Sequence, residues 1–328
     1  MKRNILILLG TLALLPVTAF AHVRYIATDN EQALLSYHDY AAFFSPLSEP
    51  KYLAMIIATL VVVVVAYLIL DHNRFFHHWA EHMAHVGESY RPFIPWITRL
   101  SLGIILIGGA TDGFLISPVL DMPPSLYLVQ LVIGFFLMAG FLVEFSAVVA
   151  FCLFIFALAH DPYLIGSFDI LALIISLFIL DSRRPGVDDI IGIPDILHIK
   201  RWRRYLPAVL RIGIGVGMTY LAIVEKILTP HLAALVAEHT ALVDVIPVSA
   251  MMWAFSAGII ELVVGIMLIV GWKTRLASVA ALVILSMSFF YFGEDVTSHV
   301  TLFGTLSAVF ILGVGPWGID KPHPMHKY

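Results

Sequence analysis

Seven ionisable side chains lie inside long apolar stretches of this 328-residue sequence: Asp112, Glu144, Asp169, Glu225, Lys226, Glu261 and His299. Charged groups cost free energy in hydrocarbon, so such residues mark functional sites by default. Carboxyl groups and an imidazole can relay protons, and a lysine ammonium can hold an anion or a polar oxygen. We therefore predict a catalytic site made of Glu225, Lys226, Glu261, Asp169, His299 and Asp112. The alternative is that these groups cap helices or neutralise one another.

A run of histidines follows the first long apolar stretch. His78, His82 and His85 are spaced i, i+4 and i+7, which places them on one face of a helix with Glu81 beside them. Two imidazoles four residues apart and a carboxylate can ligate zinc or a similar divalent ion. The competing interpretation is an amphipathic helix at the membrane surface, anchored by the neighbouring aromatic residues.

The N-terminus has the pattern of a signal peptide. Two basic residues precede an apolar run, and Ala19-Phe20-Ala21 matches an A-x-A cleavage site. Cleavage there would make His22 the mature N-terminus, and its amino group and imidazole could bind copper together. His38 lies in the same segment. This arrangement resembles the histidine brace of some extracytoplasmic copper proteins and predicts a metal site at His22 and His38.

The composition indicates a membrane protein. Hydrophobic residues make up 60% of the sequence and charged residues 13%, about half of the roughly 25% that soluble domains carry. So few charges cannot cover the surface of a water-soluble fold, which excludes an ordinary soluble enzyme, a disordered chain and a nucleic-acid-binding protein. Cys152 is the only cysteine, so redox chemistry would need a cofactor or a metal rather than a dithiol.

Nine apolar segments are predicted to span the membrane. They lie at 52–70, 98–117, 127–145, 146–160, 168–181, 206–228, 249–271, 276–292 and 299–316. If the mature N-terminus is outside, 14 of the 17 Lys and Arg residues after the signal peptide fall on the other side. By the positive-inside rule that side is the cytoplasm. We expect a multi-pass protein of the inner (cytoplasmic) membrane of a bacterial or archaeal cell, with a cytoplasmic C-terminus.

Two parts of the chain are similar in sequence. Residues 99–118 align with 211–230, 131–141 with 262–272, and 178–189 with 310–321. The offset grows from 112 to 132 residues, so the second copy has an insertion at about 230–249. Both copies start and end on the same side, which indicates a parallel repeat of two four-helix units.

The predicted fold class is an all-α, polytopic integral membrane protein, with two tandem four-helix bundles and one N-terminal transmembrane helix. The predicted domains are a signal peptide (1–21), an extracytoplasmic segment (22–50), a transmembrane and His-rich helix (51–97), the first repeat (98–189), a basic cytoplasmic linker (190–205), the second repeat (206–321) and a tail (322–328).

The second repeat resembles the DoxX family of four-helix membrane proteins, and the first repeat matches it less well. The resemblance rests on Arg211, Gly215, Glu225, Lys226 and the closing sequence Gly-Pro-Trp-Gly-Ile-Asp at 315–320. The family includes the DoxD-type subunit of thiosulfate:quinone oxidoreductase and partners of extracytoplasmic redox proteins. The resemblance therefore implies a quinone as cofactor and an extracytoplasmic redox protein as partner.

Three functions are compatible with these observations. The first is an inner-membrane, quinone-interacting subunit of an extracytoplasmic redox system, which would be part of a quinone-linked oxidoreductase. The second is a metal-handling membrane protein that binds copper through His22, or another divalent ion through the histidines at 78, 82 and 85. The third is a membrane scaffold or transporter. Each of them places the chain in a lipid bilayer, allows an oligomer and involves no nucleic acid.

Overall fold

The described part of the chain is mostly helical. The computed structural model describes residues 50–117, 123–180, 186–194, 200–239, 249–292 and 296–320, and the structural statements below refer to these residues. They contain α-helices, short 3₁₀ segments and one π-helical segment, and no strand. The predicted fold class, an all-α polytopic membrane protein, is confirmed.

The helices are numbered in chain order. They are α1 (Pro50–His72), α2 (Arg74–Tyr90), α3 (Ile94–Asp112), α4 (Pro124–Ala139), α5 (Val143–His160), α6 (Phe168–Ile179), α7 (Val187–Ile191), α8 (Leu206–Leu221), α9 (Pro230–His239), α10 (Ala250–Val270), α11 (Thr274–Phe292) and α12 (Val296–Leu312). The π-helical segment, Ala222–Leu228, continues directly from α8. The 3₁₀ segments are Arg91–Phe93, Pro162–Ser167 and Lys200–Tyr205.

Apolar helices occupy all nine predicted positions. Five are long and apolar enough to cross a membrane: Glu81–Asp112, Val143–His160, Pro162–Ile179, Arg201–Leu228 and Ala250–Val270. Four shorter apolar helices, Pro50–Val62, Ser125–Ala139, Thr274–Met287 and His299–Leu312, coincide with the other four predicted segments. Large apolar side chains on these helices, such as Leu128 and Phe135, are exposed, as expected where lipid rather than water surrounds the protein. The protein is therefore a multi-pass membrane protein.

The chain divides into two compact units. Unit 1 takes in the residues up to 72 together with 221–263 and 283–294, and unit 2 takes in 73–220, 264–282 and 295–328. In unit 1, an apolar core joins α9 to the first half of α10 around Trp253 and Leu232. In unit 2, a larger core joins α3, α4, α5 and α6 around Leu102, Leu137 and Phe154.

Unit 2 contains the same tight turn in both repeats. Gly140 ends α4 and Gly271 ends α10, each with φ +68°, a left-handed conformation that suits glycine because it has no Cβ. Two residues later Leu142 and Lys273 both have φ +46°. The first of these turns corrects a predicted boundary. The predicted spans 127–145 and 146–160 place the break after residue 145, but α4 ends at Ala139 and α5 begins at Val143 because the glycine already reverses the chain.

An aspartate from the end of each repeat stabilises this turn. Asp188 accepts hydrogen bonds from the backbone N–H groups of Leu142 (2.7 Å) and Val143 (3.0 Å). In the second repeat, Asp320 accepts one from the N–H of Thr274 (3.1 Å). Both carboxylates therefore satisfy N–H groups at a helix start, where no carbonyl of the helix can reach them. The aligned chain ends thus have the same structural task in both copies.

The fourth helix of each repeat packs on the first helix of the other, within unit 2. On α12, a Cβ added to Gly304 would lie 2.8 Å from the Cβ of Ser101 on α3. On α8, a Cβ added to Gly213 would lie 2.8 Å from the backbone oxygen of Phe168 on α6. Glycines therefore permit both close approaches. α6 also contacts α12 directly, and the Thr301 side chain near the start of α12 donates a hydrogen bond to Asp169 at the start of α6.

Candidate functional site

In unit 1, two of the predicted site residues lie on the π-helical segment that continues α8. Glu225 and Lys226 belong to this segment, and they are 3% and 0% exposed. A π-helix forms i→i+5 hydrogen bonds instead of i→i+4 and is frequent at functional sites. Adjacent residues of an α-helix point in directions about 100° apart, so two consecutive ionisable side chains seldom face the same interior. Here both side chains are buried.

Lys226 forms a buried ion pair with Glu261 of α10, also in unit 1. Its Nζ lies 2.5 Å from Oε1 of Glu261 and also donates to Oε2. Glu261 is 5% exposed. Desolvating two charges is costly, and only good geometry and further hydrogen bonds compensate it. The bidentate contact provides that geometry. The structure thus places Glu225, Lys226 and Glu261 in one region of unit 1, and their catalytic role stays a prediction.

Gly258 allows α10 to approach Lys226. A Cβ added at this position would lie 2.8 Å from the Cβ of Lys226. Glu261 follows one turn later on the same helix, so the close approach also brings its carboxylate within reach of the ammonium.

The substitution Gly258→Ala is expected to destabilise the protein by about 1–3 kcal/mol, because the added methyl overpacks this contact. The measurement is the free energy of unfolding of the purified protein in SDS-containing mixed micelles, followed by tryptophan fluorescence. Ser256→Ala is the control, since it removes an atom from the same helix instead of adding one. If Gly258→Ala unfolded like the wild type, α10 would not lie this close to Lys226.

The first repeat has a neutral counterpart of the ion pair. With the offset of 131 residues, Gln130 occupies the position of Glu261, and with the offset of 112, Phe114 occupies that of Lys226. In unit 2, Gln130 accepts from the N–H of Ile116 (2.9 Å) and donates to the carbonyls of Leu106 (3.1 Å) and Phe114 (3.2 Å). The side chain at this position, Gln130 or Glu261, thus connects the first and second helices of its repeat in both copies. The connection is an ion pair only in the second copy.

Sequence reasoning missed this equivalence. The gap-free match begins at 131 and 262, one residue after Gln130 and Glu261. Because the two residues differ in charge, similarity alone did not extend the match to them. The signal was nevertheless present, since both are long polar side chains at the same register.

Asp169 and His299, also predicted site residues, come together in unit 2. They are 2% and 0% exposed. The Asp169 carboxylate accepts hydrogen bonds from the Thr301 side chain and the backbone N–H of Ile170, and it interacts electrostatically with His299. Sequence reasoning overlooked Thr301, which stands 132 residues after Asp169 and so occupies the equivalent position in the second repeat.

Two other ionisable residues of the apolar stretches are less enclosed. Asp112 is exposed at the end of α3, where Thr111 donates to it over 3.4 Å. Because the side chain is exposed, the structure gives no support to its predicted catalytic role. Glu144 is half-buried in the first turn of α5, where a negative charge suits the positive end of the helix dipole.

The predicted metal ligands are not gathered into a site within the described residues. His78, His82 and His85 are exposed on α2, and His85 lies 3.8 Å from Glu88. Within the described ranges, no group of three or more His, Cys, Asp or Glu side chains is placed to hold a metal ion. His22 and His38 lie outside the described residues, so copper binding there stays a prediction.

Comparison with known proteins identifies one region of the chain. Residues 206–294 match the DoxX family model, which confirms the resemblance noted for the second repeat. The matched region contains Glu225, Lys226 and Glu261, whereas the first repeat lies outside it. No curated protein and no solved structure matches the chain.

Proposed function

We propose that this DoxX-like chain is a membrane subunit of an extracytoplasmic redox system, and that Glu225, Lys226 and Glu261 form its quinone-interacting site. The observation that carries the proposal is the buried Lys226–Glu261 ion pair on a π-helical segment, inside the region that matches DoxX. Buried ionisable residues in a bilayer are retained for a functional reason by default.

The donor set suits the two oxygens of a quinone headgroup. The Lys226 ammonium has three donors, so it can keep a bond to Glu261 while donating to a further oxygen. A carboxyl group is the usual partner for a proton that leaves or enters such an oxygen. A quinone, when bound, supplies reversible two-electron chemistry, and the chain's residues hold and move the protons.

The charges of the site explain how it could handle a proton. Glu225, Lys226 and Glu261 comprise two carboxyl groups and one ammonium. With both carboxyls ionised, the three groups would carry one net negative charge, which is unfavourable at a buried site. With one proton bound by a carboxyl, the net charge is zero. The site is thus suited to keeping one proton and releasing it when a neighbouring group supplies compensating charge.

The electrons require a second component. A lone cysteine, Cys152, cannot form a dithiol couple within the chain. We therefore include an extracytoplasmic redox protein as the partner that exchanges electrons with the quinone. This partner, the inner-membrane location and the orientation with the N-terminus outside are parts of the same proposal.

Glu225→Gln is expected to abolish quinone-linked turnover while leaving the protein level unchanged, because the amide keeps the shape but cannot take up a proton. The measurement is quinol oxidation by membranes or by the purified protein with its partner. Glu238→Gln is the matched control, since Glu238 is exposed on α9 of the same unit. Normal turnover in Glu225→Gln would refute the proposed site.

Analysis of the molecules that co-purify with the wild-type protein distinguishes the redox function from metal handling. Quinone extracted in a fixed ratio from the wild type, and lost in Lys226→Met, would support the redox function. Stoichiometric copper that disappears in His22→Ala, with no quinone present, would instead favour metal handling.

A further inference from the structure

A second buried polar cluster lies in unit 2, where the fourth helices of the two repeats meet. Asp169 is at the start of α6, while His299 and Thr301 are in the first turns of α12. All three are at most 3% exposed. The Asp169 carboxylate accepts from Thr301 and from the N–H of Ile170. Its Oδ2 atom has no hydrogen-bond partner within the described ranges.

A buried carboxylate oxygen without a donor is costly, because it has lost water and gained nothing in exchange. A bound proton, ion or water molecule removes such a cost, and the neighbouring imidazole favours a proton. A proton on Oδ2 turns the carboxylate into a neutral acid, and a proton on His299 supplies the opposite charge. Both arrangements contain one proton and no net charge.

We propose that Asp169 and His299 bind one proton between them, and that Thr301 is a positioning residue for the carboxyl group. Removing the proton would leave a buried carboxylate beside a neutral imidazole. Adding a second would leave a buried imidazolium beside a neutral acid. Both states bury a net charge, so the neutral cluster with a single proton is the favoured state.

The charge of Asp169 is balanced by His299 rather than by the other ionisable groups near α6 and α12. On the elements packed against α6 and α12 the further titratable or charged groups are Arg99, Asp112, Glu144, Cys152, His160, Tyr163, Arg211 and Tyr220, together with the basic segment Lys200–Tyr205 and the His, Glu, Arg and Tyr residues of α2. Arg211 binds carbonyls beyond the far end of α12, and Asp112 and His160 are exposed. Within the described residues, His299 is the group that acts electrostatically on Asp169.

The proposed proton lies between residues of the two repeats, so it affects how the repeats pack on each other. Asp169 belongs to the first repeat, and His299 and Thr301 belong to the second, so the bound proton stabilises the contact between α6 and α12. This inference does not depend on the proposed redox function, since it concerns a proton held in the resting protein.

The test is to locate the proton spectroscopically in the full-length protein, in lipid nanodiscs near neutral pH. Infrared difference spectra between variants report the C=O stretch of a protonated carboxyl group, and ¹⁵N NMR of labelled histidine reports an imidazolium. If the proton is on His299, we expect both Asp169→Asn and His299→Gln to abolish the imidazolium signal. If it is on Asp169, we expect Asp169→Asn to abolish the carboxyl band and His299→Gln to shift it. Asp189→Asn, which removes an exposed carboxyl group in the same unit, should leave the signal unchanged.

Variants of Thr301 test the positioning role. Thr301→Ser keeps the hydroxyl and should preserve the frequency and intensity of the signal, whereas Thr301→Val should shift or remove it. An equal effect of both variants would overturn the positioning role. If wild-type protein showed neither a carboxyl band assignable to Asp169 nor an imidazolium at His299, or if sodium ions abolished the signal at constant pH, the cluster would not be a proton site.

Discussion

Replacing Lys226 with methionine is expected to lower the free energy of unfolding by about 3–5 kcal/mol, the usual cost of removing one partner from a buried ion pair. Methionine has nearly the length of lysine, so little space is vacated. What changes is that Glu261, 5% exposed, and Glu225, 3% exposed, lose the ammonium that compensates them. The measurement is unfolding of the purified protein by SDS in mixed micelles, followed by tryptophan fluorescence.

The double variant Lys226→Met/Glu261→Gln tests whether the loss of stability comes from the Glu261 carboxylate that has lost its partner. It converts the charged contact into a neutral one, as the first repeat already has at Gln130. We expect it to recover most of the stability that Lys226→Met loses, because no unpaired charge of the ion pair remains. A double variant as unstable as the single one would show that the two side chains do not depend on each other.

The same two variants distinguish structure from function. If Lys226 only stabilised the fold, restoring stability in the double variant would also restore quinone-linked turnover. If Lys226 holds a quinone oxygen, turnover should stay lost although the protein is stable again. The first result would leave the Lys226–Glu261 pair as a structural element and would remove the main support for the proposed site.

The sequence was sufficient to single out the buried ionisable residues, but not to tell which of them contact one another. Scarce charges within apolar segments drew attention to Glu225, Lys226 and Glu261, and the fold class follows from the same apolar segments. Which carboxyl pairs with Lys226 depends on how α10 packs, and on the close approach at Gly258. The structure pairs Lys226 with Glu261, 35 residues away.

The sequence also could not indicate the π-helical segment. A change from i→i+4 to i→i+5 hydrogen bonding leaves no pattern in residue types, and the apolar run predicts one continuous helix over 206–228. Similarly, the match between residues 178–189 and 310–321 predicted a repeat, but not that Asp188 and Asp320 bind the turn after the second helix. Such contacts join segments more than 40 residues apart and become visible only in the fold.

Arg99 and Arg211 show how a correct observation can be interpreted too narrowly. Both belong to the 14 Lys and Arg residues that the positive-inside rule assigns to the cytoplasmic side. In the structure they are 2% and 0% exposed. Arg99 interacts electrostatically with Asp188, and Arg211 with Asp320. A guanidinium in this position of each repeat therefore belongs to the interior.

The largest loss of stability outside the site is expected for Arg211→Met. The guanidinium donates to the carbonyls of Val314 (2.8 Å), Leu268 (3.0 Å) and Pro316 (3.0 Å), and also to that of Ile269. It thereby joins α8 to the end of α10 and to the segment after α12. A buried carbonyl left without a donor costs about 1–3 kcal/mol, and lysine cannot replace the planar fork that reaches several acceptors at once.

We expect Arg211→Met to lower the free energy of unfolding by about 3–5 kcal/mol, less than four separate losses because the segment at 314–316 can move toward water or lipid headgroups. Arg211→Lys should recover only part of this. Arg203→Met, at an exposed position of the basic segment, should stay within about 0.5 kcal/mol of the wild type. Equal stability of Arg211→Met and Arg203→Met would mean that membrane orientation is the main task of Arg211. A large difference would identify it as the residue that fixes the second repeat around its closing segment, which is where the aligned sequences of the two repeats end.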